Sequence, residues 1–349
     1  KAAPVNYTAA AERTWRPTEG GSSGRDLLEI IRYATLAASS HNTQPWRFVI
    51  ARDRIRILPD FSRRCSAVDP DDHHLFASLG CAAENLLHAA LAGGFRPTPA
   101  FDPVTRGMEM MLEPAAPERS TLFDAIPLRQ CSRSQYDGSS LSPDELRALE
   151  RAGTGSGVTT MLLTSAKQKD EVAGYVAQAN SAQFADPAWR AELESWIRFS
   201  GREAVDTGDG LYGPIMGSPD VPRWFGRAAM KLFSSSKAQN RKDARRIASS
   251  GAIAVITSDR DEPSHWIEAG RCHERIALQA TVLGLRTAFI NQPVEVSAIR
   301  QQFASYLGLG GRRPDLVIRL GRGPAMPRSL RRPVGDVTVK SDETSKVAA

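Results

Sequence analysis

Lysine, cysteine and long apolar runs are all scarce in this chain of 349 residues. No window of about eighteen apolar residues is present, so we expect no membrane-spanning helix. None of the four cysteines forms a C-x-x-C pair, and a chain of this length needs no disulfide staples. The sequence therefore predicts free thiols that mostly fill the core, at Cys65, Cys81, Cys131 and Cys272.

Basic residues exceed acidic ones by only six, 45 against 39, and just eight of the 45 are lysine. Arginine suits bidentate binding of phosphate and carboxylate, although codon bias explains the total equally well. The cations are interleaved with acids and form no long basic tail. We therefore expect no nucleic-acid partner, and a basic module for anionic partners is only a third reading.

The composition, 41% hydrophobic and 24% charged, is that of a folded globular protein. The length allows one large domain or two modest ones. The chain opens Lys1-Ala2-Ala3-Pro4 without Met, which predicts that a segment was removed, either a cloning remnant or an export signal. The compartment stays open: cytoplasmic, or exported if that segment was a signal peptide.

Periodicity predicts an α+β chain. Gly20–Gly24 fits the G-x-S-x-G nucleophile pattern but follows no strand, so we interpret it as a linker. Ser23 is expected to cap a helix that runs to about Ala38. A polar turn, a strand at Trp46–Ile50 and a hairpin partner at Arg54–Leu58 follow.

Further along, Ser142-Pro143-Asp144-Glu145 is a strong helix start, with a serine cap, proline at the first position and glutamate at the third. Residues 181–246 are rich in charge, tryptophan and turn residues, and they predict helical pieces that cover a core. The remaining predicted elements are strands at Met108–Leu112, Val158–Leu163, Gly251–Thr257 and Leu316–Leu320, and helices at about His74 to Ala92 and Glu268–Leu283.

The two long helices match each other at an offset of 190 residues. The matches include a glycine at each end and a glutamate and an arginine in register: Gly80 with Gly270, Glu84 with Glu274, Gly94 with Gly284 and Arg96 with Arg286. Shared glycines are stronger evidence than shared amphipathic period. We therefore predict two related halves, 1–115 and 116–349.

Three segments resemble the nitroreductase (flavin reductase) family. Ser39–Trp46 is similar to its S-x-N-x-Q-P-W segment, Arg129–Arg133 to its R-x-[ST]-x-[RK] flavin-phosphate segment, and Arg331-Arg332-Pro333 to its closing basic segment. The length of two halves resembles the Acg-like members, which fuse two units in one chain. The resemblance implies mostly antiparallel sheets flanked by helices, arranged as an intramolecular pseudo-dimer.

In this family FMN lies at a subunit interface, where one unit supplies the phosphate arginines and the other the Asn-containing loop. Half one keeps the loop with Asn42, but its counterpart of the arginine segment, Glu12–Arg16, is degenerate. Half two keeps Arg129 and Arg133, but its counterpart of the loop, Arg151–Gly157, lacks Asn, Gln and Pro. The complementary remnants predict one competent flavin site and one decayed site.

The resemblance assigns roles to residues in both halves. Arginines would clamp the phosphate, although Cys131 stands where a better hydroxyl donor is expected. Asn42, Gln44 and a backbone N–H near Ser40 or His41 would donate to the ring's pyrimidine edge, with Arg133 near N1. Backbone after the second repeat helix, at 289–292, would face the ring. The predicted flavin-binding set is Ser39, Ser40, His41, Asn42, Gln44, Arg129, Cys131, Arg133, Ile290, Asn291, Arg331 and Arg332.

Plainer interpretations compete with several of these assignments. Asn42–Pro45 alone is also a sound helix-to-strand turn, and Arg129 with Arg133 could be a solvated pair. His73-His74 beside Asp69, Asp71 and Asp72 matches no zinc or calcium spacing, so a helix start rich in acid is expected there and no metal.

The function that follows is an FMN-dependent oxidoreductase. It would take a hydride from NAD(P)H and reduce a nitroaromatic, a quinone or a related acceptor, with no side-chain nucleophile. The alternative is an FMN-binding or storage protein whose lid at 181–246 excludes nicotinamide. The sequence leaves open the acceptor, NADH against NADPH, and monomer against homodimer.

Overall fold

The computed structural model describes residues 6–17, 26–233 and 235–340, and the structure below is that of these residues. The strands are β1 (Trp46–Ile50), β2 (Arg54–Pro59), β3 (Phe95–Asp102), β4 (Gly107–Pro114), β5 (Val158–Leu163), β6 (Ile197–Arg198), β7 (Leu211–Tyr212), β8 (Ala252–Ser258), β9 (Arg286–Phe289), β10 (Arg313–Gly321) and β11 (Thr338–Lys340). The helices are α1 (Tyr7–Thr14), α2 (Leu27–Thr35), α3 (His73–Ala92), α4 (Thr121–Ala125), α5 (Pro143–Ala152), α6 (Ala166–Ala185), α7 (Pro187–Trp196), α8 (Gly201–Thr207), α9 (Arg223–Phe233), α10 (Ser236–Ala248), α11 (Pro263–Val282), α12 (Gln292–Glu295), α13 (Ser297–Tyr306) and α14 (Val334–Val337).

A five-stranded sheet in the order β11-β1-β2-β4-β3 comes mostly from the first third of the chain. Its pairings are antiparallel apart from β1 with β11, where the C-terminal segment joins in parallel. The predicted hairpin of β1 and β2 is confirmed. Strand β3 was not predicted, because Pro97 and Pro99 interrupt its apolar pattern, and prolines are tolerated here since β3 lies at the sheet edge.

A four-stranded antiparallel sheet, β5-β8-β10-β9, comes from residues 158–321. Every residue of β8 and β10 is buried, because helices cover both faces of these central strands. The expectation of mixed helix and mostly antiparallel sheet is confirmed.

The two long helices, α3 and α11, cross between the sheets at the pair of glycines that the repeat aligned. A Cβ on Gly80 would lie 1.9 Å from the carbonyl oxygen of Ile267, and a Cβ on Gly270 would lie 1.9 Å from that of Ala77. Only glycine permits backbones to approach this closely. The reciprocal contact shows that the matched positions of the repeat meet in space.

Helix α2 differs from its predicted bounds at both ends. It begins after Asp26, whose carboxylate accepts the N–H groups of Leu28 and Glu29, so Asp26 and not Ser23 is the cap. Ser23 and the Gly20–Gly24 segment lie outside the described residues. The helix ends at Thr35, short of Ala38, because arginine side chains bind its last carbonyl groups, as described below.

Residues 187–233 form short helices and a two-stranded parallel pair, β6 with β7. We call these residues the covering segment, because they lie over the larger of the cavities described below. By length and composition alone, α3 could cross a membrane, contrary to the expectation from the sequence, but 83% of its apolar window is buried inside the protein. Its apolar character is accounted for by its place in the core.

Candidate functional site

Two neighbouring cavities lie where the predicted loop and the predicted arginines meet. The larger measures about 860 Å³, within the usual range for small-molecule sites. The smaller measures about 60 Å³, roughly the volume of two water molecules. Both are lined by Ala38, Ser39, Arg133, Leu211 and Phe289, so the two cavities are neighbours that share part of their walls.

The smaller cavity is walled by four arginines, Arg129, Arg133, Arg328 and Arg331. Three of their guanidinium groups lie against the ring of Trp15, with Arg328 and Arg331 at 4.9 Å and Arg129 at 5.9 Å from its centroid. The indole N–H of Trp15 donates to the carbonyl of Ser329 at 2.8 Å, which fixes the ring as a platform.

Two of the arginines are held by the C-terminus of α2. Arg331 donates to the carbonyls of Thr35, Leu36 and Ala37 at 2.7, 3.0 and 2.9 Å, and Arg129 also donates to Leu36, at 3.0 Å. These are carbonyl groups that the helix itself leaves unpaired, and its dipole favours cations there. The end of α2 therefore positions the cationic wall.

Burial and neighbouring cations shift the pKa values of two of these four arginines. Burial, and then the charge of Arg129, lower the pKa of Arg331 to about 9 and lower that of Arg328. Arg129 has one nearby carboxylate, Glu274, 3.0 Å away in a geometry that makes no hydrogen bond. Arg133 makes no hydrogen bond or ion pair with any described residue. The site therefore holds more positive charge than the protein neutralises, which favours an anionic ligand.

The loop after α2 has strained backbone. His41, Asn42 and Gln44 have φ values of 47°, 55° and 53°, in the left-handed region that non-glycine residues rarely occupy. The loop is held by the Ser39 hydroxyl, which accepts the N–H of Gln44 at 3.1 Å. Strain of this kind persists only where surrounding contacts impose it, and it concentrates at functional sites.

The side-chain amides of this loop bind the covering segment and not the cavity. Asn42 donates to the carbonyls of Gly210 and Leu330 at 3.1 and 3.2 Å and accepts from Arg331, and Gln44 donates to Gly208 at 2.9 Å. The predicted role of these amides as donors to a ring is therefore not what the structure shows. Asn42 still lines the smaller cavity, whereas Gln44, fully buried, lines neither.

The larger cavity has walls from both sheets. Ser40 and His41 face it from the loop, Ile290 and Asn291 from the segment after β9, and Ser78 from α3. Of the two backbone N–H groups expected to donate to the ring, that of Ser40 donates instead to the Ser78 hydroxyl at 3.2 Å. The side-chain oxygen of Asn291 accepts the N–H of Val317 at 2.8 Å, which anchors that segment to β10.

Two histidines, His41 and His74, are among the titratable groups that line the larger cavity. Burial and then the charge of Arg133 lower the pKa of His41 to about 4, so its imidazole is neutral near neutral pH. The pKa of His74 is raised despite burial, because Asp69 lies 3.4 Å from its Nδ1. The Nε2 of His74 has no hydrogen-bond partner among the described residues.

Two sets of ligand-type side chains lie closer together than their spacing suggested. Asp69, His73 and His74 form one set, and Cys81, His273 and Glu274 the other, with one donor atom from each within 4.8 Å of its partners. The Asp69 carboxylate already accepts the first N–H groups of α3, at 3.0 Å each, and Glu274 accompanies Arg129. These contacts account for both carboxylates within the protein.

The structure thus brings ten of the twelve predicted residues to the two cavities and leaves two elsewhere. Besides Gln44, Arg332 lines neither cavity, because its side chain turns to the carbonyl of Asp336. Sequence reasoning missed Trp15, which belongs to the segment taken as degenerate, and Arg328, which lies just before the closing basic segment. No sequence pattern links Trp15 to Arg328, because these residues are more than 300 positions apart and come together only in the folded protein.

A cationic pocket beside a larger cavity is an arrangement that suits an anionic, extended small molecule. No family model matches this chain. It is, however, 24% identical over 329 residues to Rv3131 of Mycobacterium tuberculosis, which carries the name of an NAD(P)H nitroreductase; the match covers 90% of this chain and 91% of Rv3131. Acg of the same organism, named likewise, is 23% identical over 336 residues, 89% of this chain and 94% of Acg. These relatives confirm the predicted resemblance to the nitroreductases and to Acg.

Solved structures with a similar arrangement were also found, at lower similarity. A nitroreductase with bound FMN from Bacteroides fragilis is 13% identical, with a TM-score of 0.39, covering 63% of this chain and 98% of that one. The nitroreductase NfnB of Mycobacterium smegmatis in complex with NADPH is 13% identical, with a TM-score of 0.37, covering 58% and 87%.

Proposed function

We propose that this protein is an FMN-dependent NAD(P)H oxidoreductase of the nitroreductase type. The observation that carries the proposal is the meeting of the Ser39–Trp46 loop with Arg129 and Arg133 around two neighbouring cavities that share part of their walls. The names of the two mycobacterial relatives support the same activity. Reduction of a nitroaromatic, a quinone or a related acceptor is the expected reaction.

The residues present fit FMN. Four arginines surround a space of about 60 Å³, and among the described residues one carboxylate, Glu274, lies beside Arg129. Burial and then the charge of Arg129 lower the pKa values of Arg328 and Arg331, and a phosphate dianion would offset this excess of positive charge. The adjoining cavity, about 860 Å³, has room for a flat ring together with a second small molecule. Its wall from Ala38 to His41 and its wall from Phe289 to Asn291 would face opposite sides of that ring.

When bound, FMN supplies the hydride chemistry at its own ring. The chain's residues bind, orient and exclude water. Arg129 and Arg331, locked on the end of α2, would hold the phosphate, and Arg133, free of other partners, would stabilise negative charge at the ring. The neutral His41 can serve as a hydrogen-bond partner there but not as a proton donor near neutral pH.

The covering segment would limit access of water to the cavity. Asp209 pairs with Arg198 at 2.6 Å and with Arg63, and Glu192 of α7 accepts the N–H groups of Ala67 and Val68 at 2.8 and 3.0 Å. The contacts of Arg63, Ala67 and Val68 join the segment to the connection between β2 and α3. A reaction in a drier cavity strengthens the electrostatic effect of Arg133.

We further infer that the chain is an intramolecular pseudo-dimer with one site. The halves would be 1–115 and 116–349, with residues 181–246 as the lid. The reciprocal contact of Gly80 and Gly270 supports this arrangement, because equivalent residues of two related units meet on their pseudo-symmetry axis.

The test is an anaerobic titration of the FMN-loaded protein with NADH and with NADPH. We expect the flavin absorbance to bleach with at least one nicotinamide and to return when a quinone or nitroaromatic is added. A protein that holds FMN but bleaches only with dithionite would be the storage protein and would overturn the oxidoreductase proposal.

Variants locate the site. Changing Arg129 and Arg133 together to Ala should abolish FMN uptake. Changing Arg13 and Arg16, exposed arginines of the degenerate segment, should leave uptake unchanged. Equal FMN occupancy in both double variants, measured by absorbance, would show that the cationic pocket is not the flavin site.

A further inference from the structure

Helix α9 exposes a continuous apolar face to solvent. Trp224, Ala228 and Leu232 follow one another at intervals of four residues, so they lie in one stripe along the helix, with Phe225 beside them. Their side chains are far from buried: Trp224 is 73% exposed, Leu232 76% and Phe225 49%. Among the described residues, eight large hydrophobic residues are at least 38% exposed, and three of them are on this helix of eleven residues.

This outer stripe is not needed to hold the helix in place. The opposite face does that, because Gly226, Ala229 and Met230 line the larger cavity and Gly226 packs directly on the ring of Phe199. Phe225 lies at the border of the two faces, since it is half exposed and also lines the cavity. The helix therefore has two apolar faces, one that roofs the cavity and one that is unpartnered. Exposed apolar clusters of this kind mark interaction surfaces.

The segment of chain that carries the stripe is strongly positive. Residues 222–248 contain eight Lys and Arg against a single acid, Asp243, a net charge of +7 where the whole chain has +6. Beside the stripe, Arg223 and Arg227 reach acids of the covering segment at 3.3 and 2.5 Å. In α10, three exposed cations have no ion-pair partner within the described part of the chain: Lys237, Arg241 and Arg245.

We propose that α9, with the exposed cations of α10, docks this protein on an anionic membrane surface. An exposed tryptophan and leucine flanked by lysine and arginine form an interfacial helix, in which the apolar side chains enter the headgroup region and the cations meet anionic lipid. Each cation near such a surface contributes about 1 kcal/mol. A nucleic acid would use the cations but leave Trp224 and Leu232 without a partner, so a membrane explains both features.

Docking in this way places the roof of the larger cavity at the bilayer. The proposal is independent of the proposed reaction, because binding to lipid requires neither flavin nor turnover. Lipid-soluble acceptors, quinones among them, would then be concentrated next to the cavity.

The experiment is co-sedimentation of the full chain with vesicles of phosphatidylcholine alone and of phosphatidylcholine mixed with phosphatidylglycerol. We expect binding to the anionic vesicles that falls with added salt. The variant Trp224→Ser/Leu232→Ser should bind at least about tenfold more weakly, since both apolar contacts are lost. The matched control is Val104→Ser/Leu128→Ser, two exposed apolar residues outside α9, which should bind like the wild type.

A second variant tests the charges. Lys237→Gln/Arg241→Gln/Arg245→Gln should weaken anionic binding and reduce its salt dependence, while thermal unfolding confirms that each variant is folded. The proposal is overturned if the wild type binds neither vesicle, if it binds neutral vesicles equally, or if Trp224→Ser/Leu232→Ser binds undiminished. Retention on duplex DNA that exceeds binding to anionic vesicles would likewise overturn it.

Discussion

On the two sides of the crossing between α3 and α11, two glutamates that the repeat aligns have pKa values shifted in opposite directions. Glu274 faces the cationic pocket, where burial raises the pKa of its carboxyl despite the charge of Arg129. Its counterpart in the repeat, Glu84, faces the other side, where contacts with His88, Arg275 and Arg271 overcome burial and lower its pKa to about 2. One side leaves its charges unbalanced, and the other neutralises them within the protein.

Nearby residues of the two helices explain why a cavity is present on one side of the crossing and is filled on the other. On α3, Ser78 and Cys81 are small and line the larger cavity. At the equivalent positions of α11, 190 residues later, stand Glu268 and Arg271, which pair with each other at 2.9 Å. The loop expected to face them is filled as well: Gly155 lies so close that a Cβ there would be 2.1 Å from a Glu268 carboxylate oxygen. Small side chains on α3 leave a cavity on one side of the crossing, and the ion pair of Glu268 and Arg271 fills the equivalent space on the other side.

The largest effect is expected where α3 and α11 cross. Gly80→Ala and Gly270→Ala each place a Cβ 1.9 Å from a backbone oxygen of the opposite helix, so the helices must separate. We expect each to lower the free energy of unfolding by about 3 kcal/mol or more, measured by urea denaturation. The control is Gly174→Ala in α6, where no atom lies within 4 Å and alanine should stabilise by up to about 1 kcal/mol. Equal effects at all three positions would show that the crossing is not tightly packed.

The second effect separates the two glutamates by pH. The lowered pKa of Glu84 means that its ion pairs stabilise the fold above about pH 4.5 and that this stability is lost as the pH falls toward 2. Glu84→Gln should therefore cost about 3 kcal/mol near neutral pH, with the difference from wild type shrinking in acid.

For Glu274 the sign is opposite. Its raised pKa means that its contribution is present at low pH and is lost as the pH rises through that raised value. Glu274→Gln should therefore cost less than Glu84→Gln near neutral pH. Urea denaturation of both variants across the acid range decides this, and a larger neutral-pH loss for Glu274→Gln would contradict the contrast drawn between the two sides.

The third effect concerns the open side alone. Ala77, like Ser78, lines the larger cavity, and its counterpart at the offset of 190 is the larger Ile267. Ala77→Ile should narrow the cavity and weaken FMN binding by about tenfold, or about 1.4 kcal/mol, by fluorescence titration. Gly174→Ala again serves as the control, since it is remote from both cavities. Unaltered affinity in Ala77→Ile would place the flavin away from α3.

Local chemistry made much of this fold predictable. The capping box at Ser142, the hairpin of β1 and β2 and the buried strands β8 and β10 follow from patterns of a few residues, and the glycines at the crossing followed from the repeat. The parallel pairing of β11 with β1 could not be predicted, because it joins residues almost 300 positions apart by backbone bonds alone.

The candidate site was predictable to the same extent. Its remaining contacts could not be predicted, again because they join residues that are distant in sequence. The sequence indicates that Asn42 and Arg129 matter, and the structure places both on one cavity. It cannot indicate that the Asn42 amide is taken by Gly210 or that Trp15 lies beneath three arginines, because those partners are distant in sequence and carry no periodic pattern. Motifs identify the participants, whereas hydrogen-bond partners depend on the assembled fold.

The smallest effect tests the helices that lead into the two loops. Ser142 caps α5, which precedes the glycine loop of the filled side: its hydroxyl accepts the N–H of Glu145 at 3.2 Å, and the Glu145 carboxylate accepts the Ser142 N–H at 2.7 Å. Ser142→Ala removes one of these bonds and should cost about 1 kcal/mol of stability, without changing FMN affinity, because α5 contributes no residue to either cavity. Asp26→Ala, at the equivalent cap of α2, should cost about as much. A loss of FMN affinity in Ser142→Ala would mean that the filled side still takes part in binding, and the division between one open and one filled site would fail.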